Sequence, residues 1–355
     1  MPLHVDTPLV ESRPLTLALG HRVWLKLDSL QPSGSFKLRG IGHACEAARD
    51  RGARRFVSSS GGNAGLAVAY AGRMLGVPVT VVVPETTTER AKALLRQDGA
   101  GVVVHGASWQ EANAFAQSLL QPSDAFLHPF DDPLVWEGHA TLVDEIVAAG
   151  VRPGIIVLFV GGGGLLCGVV QGLHRQGWRD VPVVAVETHG AASFRAAVEA
   201  GYTVELDRIA SVATSLGAKR VCERALAWTR EHPIRSVVVS DGSALSACER
   251  FLEDHRILVE PACGASLAPV YERAVELADA RSVLVVVCGG ATATIDQIRA
   301  WAEAEGGRSP GAPAQADGSR SDIAGVRGAG ALSPRTVIGR DGWNPGPDTG
   351  KMGPR

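Results

Sequence analysis

Along the chain, short runs of β-branched and other apolar residues alternate with Ala- and Leu-rich stretches whose apolar positions recur at helical spacing. The runs Val23–Leu27, Arg55–Ser58, Val79–Val83, Val102–Val104, Ile155–Val160, Val183–Glu187, Ser236–Val239 and Ser282–Val287 predict strands. Most are continuous rather than alternating, the pattern of strands covered on both faces of a parallel sheet. Between them, Ala64–Leu75, Thr87–Asp98, Gln110–Leu120, Leu166–Gln176 and Ser243–Asp254 predict helices. Strand–helix alternation with short loops means an α/β protein with doubly wound sheets. From Gly306 onward the text turns to Gly, Pro, Ser and Arg without period. Such a stretch buries too little apolar surface to offset the entropy of ordering, so a disordered tail is expected there. The alternative is that Val337, Ile338 and Trp343 dock on the fold.

Bulk properties narrow the function classes. A chain of 355 residues suits one large domain or two smaller ones. The formal net charge of −2 gives no basic field, so neither nucleic acid nor an anionic membrane surface is an expected partner. No apolar run approaches the roughly 20 residues of a membrane span. The opening MPLHVDTPLVESRPL lacks the basic-then-apolar order of a secretory leader. Cys45, Cys167, Cys222, Cys248, Cys263 and Cys288 show no paired short spacing, which argues against zinc and for reduced thiols in a cytoplasmic protein.

Three segments share one design, an apolar strand followed by a small-residue turn and a helix. They are Phe56 to Gly65 (FVSSSGGNAG), Ile155–Val160 followed by Gly161 to Gly164, and Val283–Val287 followed by Cys288-Gly289-Gly290. In parallel sheets these turns lie at the carboxyl ends of strands, where ligands bind, and a helix N-terminus offers N–H groups to an anion. A single glycine pair could equally be a tight turn with no ligand. Four glycines in a row are harder to explain that way, because each costs backbone entropy. No segment matches a P-loop, and the four-glycine run is not the dinucleotide fingerprint, although Glu187 lies near the distance of its ribose-binding acid. A nicotinamide-dependent enzyme stays open as the weaker reading.

The segment Leu27 to Gly40, LDSLQPSGSFKLRG, reads as a turn at Pro32-Ser33-Gly34 leading into a helix near Ser35. Lys37 follows Phe36 among small residues, a setting that could desolvate an amine and make it a Schiff-base nucleophile.

Together PSGSFKLRG, SSGGNAG, GGGGLLCGVVQGL and VVVCGGATATI resemble the pyridoxal 5′-phosphate (PLP) enzymes of the tryptophan-synthase β fold, fold type II. Within it they are most similar to the L-serine dehydratases, as are His128 to His139 (HPFDDPLVWEGH) and Leu258 to Ala268 (LVEPACGASLA). The resemblance covers about residues 3–303. It implies a large PLP-binding domain of residues 1–36 and 136–303, a small domain of residues 37–135, the cofactor in the cleft between them, and a tail from residue 304.

The resemblance also implies roles. Lys37 holds PLP covalently and then removes the substrate's Cα proton. Phe36 packs on the cofactor ring, though an ordinary core phenylalanine would sit in much the same place. Gly161, Gly162, Gly163 and Gly164, with Leu165, wrap the phosphate. Ser60, Gly61, Gly62, Asn63 and Ala64 take the substrate carboxylate, and Asn63 also reaches the ring hydroxyl; on composition alone Asn63 is a helix N-cap. Cys288, beside Gly289, faces the pyridine nitrogen, its alternative being a small buried hydrophobe. A thiol cannot hold a pyridinium as a carboxylate does, so loss of the β-hydroxyl is favoured, with the phosphate as its proton donor. Glu187, Ala191, Ser193, Leu216 and Ala218 resemble a site for a monovalent cation, potassium, the alternative for Glu187 being an exposed turn carboxylate. At Gly61 close relatives carry alanine, and the missing methyl is expected to enlarge the substrate pocket. The implied activity is elimination of water from L-serine, and from L-threonine, to a 2-oxo acid and ammonia by a homodimer acting on small amino acids. The competing readings are serine racemase, cysteine synthase, threonine synthase and a non-catalytic PLP carrier. Cys288 argues against the three enzymes, and the co-occurrence of Lys37, Asn63, the glycine run and Cys288 against the carrier.

Overall fold

The computed structural model describes residues 2–306. Strand β1 (Leu9–Glu11) leads into α1 (Arg13–Leu19), whose cap Ser12 accepts from the Leu15 N–H, and then into β2 (Arg22–Lys26). After the Pro32-Ser33-Gly34 turn, α2 (Lys37–Asp50) starts at the lysine itself. The chain then alternates through β3 (Arg55–Ser58), α3 (Asn63–Leu75), β4 (Val79–Val83), α4 (Glu89–Gln97), β5 (Gly101–Val104), α5 (Trp109–Ser118) and β6 (Asp124–Phe126). Thr88 and Ser108 cap α4 and α5 through their hydroxyls, so side chains satisfy backbone N–H groups that the first turn leaves free.

Helix α6 (Pro133–Ala148) opens with Asp132 as cap and a proline in its first turn, both favoured at a helix start. It returns the chain to β7 (Ile155–Phe159), α7 (Gly164–Arg175), β8 (Val183–Thr188), α8 (Ser193–Ala200), α9 (Glu223–Trp228) and β9 (Ile234–Val239). Helices α10 (Asp241–His255) and α11 (Pro261–Tyr271), strand β10 (Ser282–Val286) and helix α12 (Ile295–Gly306) complete the described chain. Helix α12 thus runs three residues into the expected tail. The rest of that tail, with Val337, Ile338 and Trp343, lies outside the described residues.

The strands form two sheets. Six lie in the order β1-β2-β10-β7-β8-β9, and four in the order β5-β4-β3-β6. All pairings are parallel except β1 with β2. The central strands β7 and β8 are buried along their whole length, which accounts for their unbroken apolar text. Every expected strand is present to within two residues at either end. Two strands escape the pattern, β1 and β6, each three residues long and on a sheet edge, where no residue is fully buried. One apolar core surrounds the six-stranded sheet. The smaller sheet has separate clusters, one holding Leu38 of α2, Leu66 of α3 and Leu95 of α4, the other Val57, Val82 and two alanines of α5.

Helix α2 is anchored by a buried charge network. The Arg39 guanidinium, fully buried, donates to Asp28 Oδ2 at 2.7 Å, to Asp28 Oδ1 at 2.9 Å and to Glu145 Oε2 at 2.9 Å. Lys26 also binds Glu145, and its ammonium donates to the Thr7 carbonyl at 2.6 Å. Desolvation alone would lower the Arg39 pKa, but the carboxylates of Asp28 and Glu145 outweigh it and hold the group above its usual value.

Candidate active site

The turns after β3, β7 and β10 and the start of α2 converge. The loop before Lys37 is tied to the end of β10: Ser29 N–H donates to Val287 O at 2.8 Å, Phe36 N–H to Cys288 O at 3.1 Å, and Gly290 N–H to Gly34 O at 2.9 Å. Glycine is required in that turn. Gly289 and Gly290 have φ of +89° and +126°, and a Cβ on Gly289 would lie 2.4 Å from Gly34 O. Lys37 and Cys288, far apart in sequence, are thereby held on facing turns.

Lys37 is half-buried as a residue, yet its amine is desolvated. Burial lowers its pKa to about 8, against an upward pull from Glu260 and Cys288. The amine donates to Pro129 O at 2.6 Å. Phe36, 2% exposed, packs on His139 and Phe159 with ring centroids 5.0 and 5.6 Å away. His139 is fully buried, and burial holds its pKa well below the usual value, so the ring is neutral.

The four-glycine run links β7 to α7, with Gly163 at φ +93° as the cap of the helix. Both sides are crowded: a Cβ would lie 2.3 Å from the Phe130 ring at Gly162, 2.9 Å from Ser215 O at Gly161, and 2.7 Å from Ala225 Cβ at Gly163. At Gly164 it would meet Phe130 O at 2.7 Å. No larger residue fits this cradle. Leu165 follows in the first turn of α7, whose N–H groups have no carbonyl to pair with inside the helix and so suit a phosphate.

Asn63 is the first residue of α3 and not its cap, a place taken by Gly62, which corrects the composition-only reading. Its side chain instead crosses to the large sheet. Nδ2 donates to Glu260 Oε1 at 2.8 Å and lies 3.4 Å from Ser215 Oγ, while Oδ1 accepts from Ala291 N–H at 3.2 Å. Ser60 Oγ accepts from Gly62 N–H at 3.4 Å, and Ala64 is buried in the helix behind it. Gly61 overturns the expected enlargement of the pocket. The place of its missing methyl is already taken, with Thr87 Cγ2 2.8 Å and Val83 Cγ1 3.2 Å from an ideal Cβ.

Cys288 is 1% exposed, and burial pushes its thiol well above the usual range, so it is neutral. Its Sγ lies within donor reach of Val286 O at 3.2 Å and also hydrogen-bonds the Cys263 side chain. Glu187 is fully buried rather than an exposed turn carboxylate. Its two oxygens each accept a backbone N–H of α8, from Phe194 and Arg195, both at 2.8 Å. Burial raises its pKa to about 7, against those two hydrogen bonds and Arg195. Ser193 Oγ is buried with no partner among the described residues, and Ala191 and Leu216 are also buried; Ala218 is half-buried.

Glu260, Ser215 and the Pro129 carbonyl were not among the expected site residues. Glu260 alone had a visible mark, an acid before a proline inside a run of small apolar residues.

A desolvated lysine, an anion cradle at a helix N-terminus and a neutral thiol on one set of turns define an α/β enzyme built to hold a phosphorylated carbonyl cofactor on lysine. The residues present fit PLP: the amine for its carbonyl, the glycine cradle for its phosphate. The chain belongs to the pyridoxal-phosphate dependent enzyme family, whose model matches residues 1–289. It is 50% identical over 313 residues to the Homo sapiens L-serine dehydratase/L-threonine deaminase, covering 85% of this chain and 95% of that protein. Identity to the Homo sapiens serine dehydratase-like protein is 50% over 300 residues, covering 81% and 91%. The fold matches a fungal L-serine ammonia-lyase from Rhizomucor miehei with a TM-score of 0.82 at 39% identity, over 85% of this chain and 99% of that one. The fold is thus that of the fold type II PLP enzymes. Among the described residues no helix is long and apolar enough to cross a membrane.

Proposed function

We propose that this chain removes water from L-serine, and likewise from L-threonine, to give ammonia and pyruvate or 2-oxobutanoate. The reading is carried by identity near one half over almost the whole length of relatives named for that reaction. The neutral thiol of Cys288 on the turn facing Lys37 supports it.

When bound, PLP supplies the electron sink that makes an amino acid's Cα proton removable and lets its β-substituent leave. The chain's own groups do the rest. Lys37, with a pKa near 8, carries far more free amine at neutral pH than an ordinary lysine, which suits both attachment and proton removal. The first-turn N–H groups of α7 and the glycine run hold the phosphate, and Ser60 to Ala64 at the start of α3 receive the substrate carboxylate. Asn63 would reach the ring hydroxyl. Cys288 would face the pyridine nitrogen as a neutral thiol and so would offer it no negative charge.

A potassium ion bound by Glu187, Ser193 Oγ and the carbonyls of Ala191, Leu216 and Ala218 completes the reading, supported by the unpartnered Ser193 hydroxyl beside a buried carboxylate. The working unit is read as a cytoplasmic homodimer whose smaller domain, residues 37–135, is built on the four-stranded sheet. The six buried thiols suit that reducing compartment.

The test is a 2-oxo acid and ammonia assay on purified protein with PLP and each enantiomer of serine and threonine. Equimolar 2-oxo acid and ammonia from the L-enantiomers is the expected result. A PLP-loaded protein that forms no 2-oxo acid from L-serine, or that makes D-serine faster than pyruvate, would refute the assignment.

A further inference from the structure

Glu260 is a carboxylate inside the cleft with no part in the reaction above. It precedes α11, is 4% exposed, and meets a different element on every side. Asn63 of α3 donates to it, as does the Ser215 hydroxyl. Its own N–H donates to Gly289 O at 3.4 Å, and a Cβ on Gly290 would lie 2.2 Å from its Cδ. The turn that carries Cys288 therefore needs glycine partly because Glu260 fills the space beside it.

The consequence falls on Asn63. An amide side chain has two nearly isosteric ends, and nothing in its shape chooses between them. Here the partners choose. Burial raises the Glu260 pKa to about 7; above it the ionised carboxylate only accepts and a backbone N–H only donates, so Glu260 takes the nitrogen end at 2.8 Å and Ala291 N–H takes the oxygen end at 3.2 Å. One Nδ2 hydrogen is spent on Glu260. The other has Ser215 Oγ at 3.4 Å, a long contact that leaves it free to find a better acceptor.

We propose that Glu260 is a positioning residue for the cofactor: it fixes the Asn63 amide so that the second Nδ2–H is always presented as a donor to the ring oxygen of PLP. This rests on the reading that Asn63 reaches that oxygen. In the same contact Glu260 joins α11, which packs on the six-stranded sheet, to α3 of the four-stranded sheet, so the donor is aimed only when the two sheets are engaged.

The test is a double-mutant cycle on the PLP-loaded protein with Glu260→Gln, Asn63→Ala and the pair. Two readouts need no turnover. One is the ratio of the near-ultraviolet to the violet absorption of bound PLP, because a donor to the ring oxygen favours the violet-absorbing form, in which that oxygen is anionic. The other is PLP affinity, followed by quenching of protein fluorescence. Each single change should move the ratio toward the near-ultraviolet and weaken PLP binding by about tenfold, the scale of one hydrogen bond to a charged group. The double variant should be no worse than Asn63→Ala alone. Additive effects, or a parental spectrum and affinity in Glu260→Gln, would overturn the proposal. Should Glu260→Gln fail to fold, Glu260→Asp enters the same cycle: its carboxylate, one methylene short, should give a smaller shift that also vanishes in the Asn63→Ala background, and persistence there refutes the role. Serine turnover is not measured, so a chain that binds PLP but ignores serine would sink the proposed activity and leave this result standing.

Discussion

Replacing Asp28 by Asn tests the anchor of the helix that begins at Lys37. The change keeps the side chain's shape and removes one negative charge from a cluster of two cations, Arg39 and Lys26, and two carboxylates, Asp28 and Glu145. Arg39 and Asp28 are fully buried and Glu145 is 13% exposed, so water cannot take up the imbalance. Leaving a buried charge uncompensated costs about 3–5 kcal/mol, and the slight exposure of Glu145 argues for the lower end, near 3 kcal/mol. In a folded chain of this size that corresponds to a fall in Tm of about 5 °C. Arg39 lies two residues after Lys37 in the first turn of α2, so PLP affinity should fall with stability. The assay is urea unfolding with and without PLP, comparing midpoints at an unchanged denaturant slope. The double variant Asp28→Asn/Arg39→Met removes one charge of each sign and should recover most of the loss, because the cost of breaking a buried pair lies chiefly in the charge left uncompensated. A single variant within about 0.5 kcal/mol of the parent, the size of an ordinary surface change, or a double variant no better than the single, would refute the reasoning.

Four further outcomes follow from the site. Lys37→Ala should abolish elimination while the glycine cradle still binds PLP without a covalent link. In the parent, covalent capture of PLP should rise with pH and reach half its plateau near pH 8 rather than 10.5, because the neutral amine is the reacting form; a midpoint near 10 would mean that the amine is not desolvated. Cys288→Asp should stabilise a pyridinium, slow elimination and bring a long-wavelength absorption band, with each pKa unit added to the ring nitrogen worth about 1.4 kcal/mol. Cys288→Ser should cost far less, and an Asp variant with PLP and parental turnover would return the residue to a packing role. Potassium should raise turnover over sodium, and Glu187→Gln should remove the difference while lowering stability by about 1 kcal/mol through the weakened cap of α8; equal rates in both salts would leave Glu187 as that cap alone.

The sheets were legible because their strands are buried on both faces and so carry unbroken apolar text, as in Ile155–Phe159. The edge strands β1 and β6 were not, being three residues long and partly exposed, with as little pattern as a loop. At the site, motifs revealed positions but not what surrounds them. Lys37 and the glycine run stand out locally, whereas the environment that desolvates Lys37 comes from residues distant in sequence. Glu260 and Asn63 are 197 residues apart and meet only through the fold. Gly61 failed for a related reason: a missing methyl says nothing about whether a neighbour such as Thr87 has filled its place.

The placement of β10 has a consequence for biosynthesis. Residues 282–286 form the strand that lies between β2 and β7, so two strands made early have no direct ladder with each other. As the chain leaves the ribosome, β7, β8 and β9 can pair in order, but β2 must wait for almost the whole described chain before its parallel partner exists. Until then its edge is open to pairing with other molecules. The turn that seats Lys37 against Cys288 cannot close earlier either, since its hydrogen bonds come from the end of that same late strand. A nascent chain stopped short of residue 282 would therefore carry the lysine and the glycine cradle, but not the geometry that makes them a site.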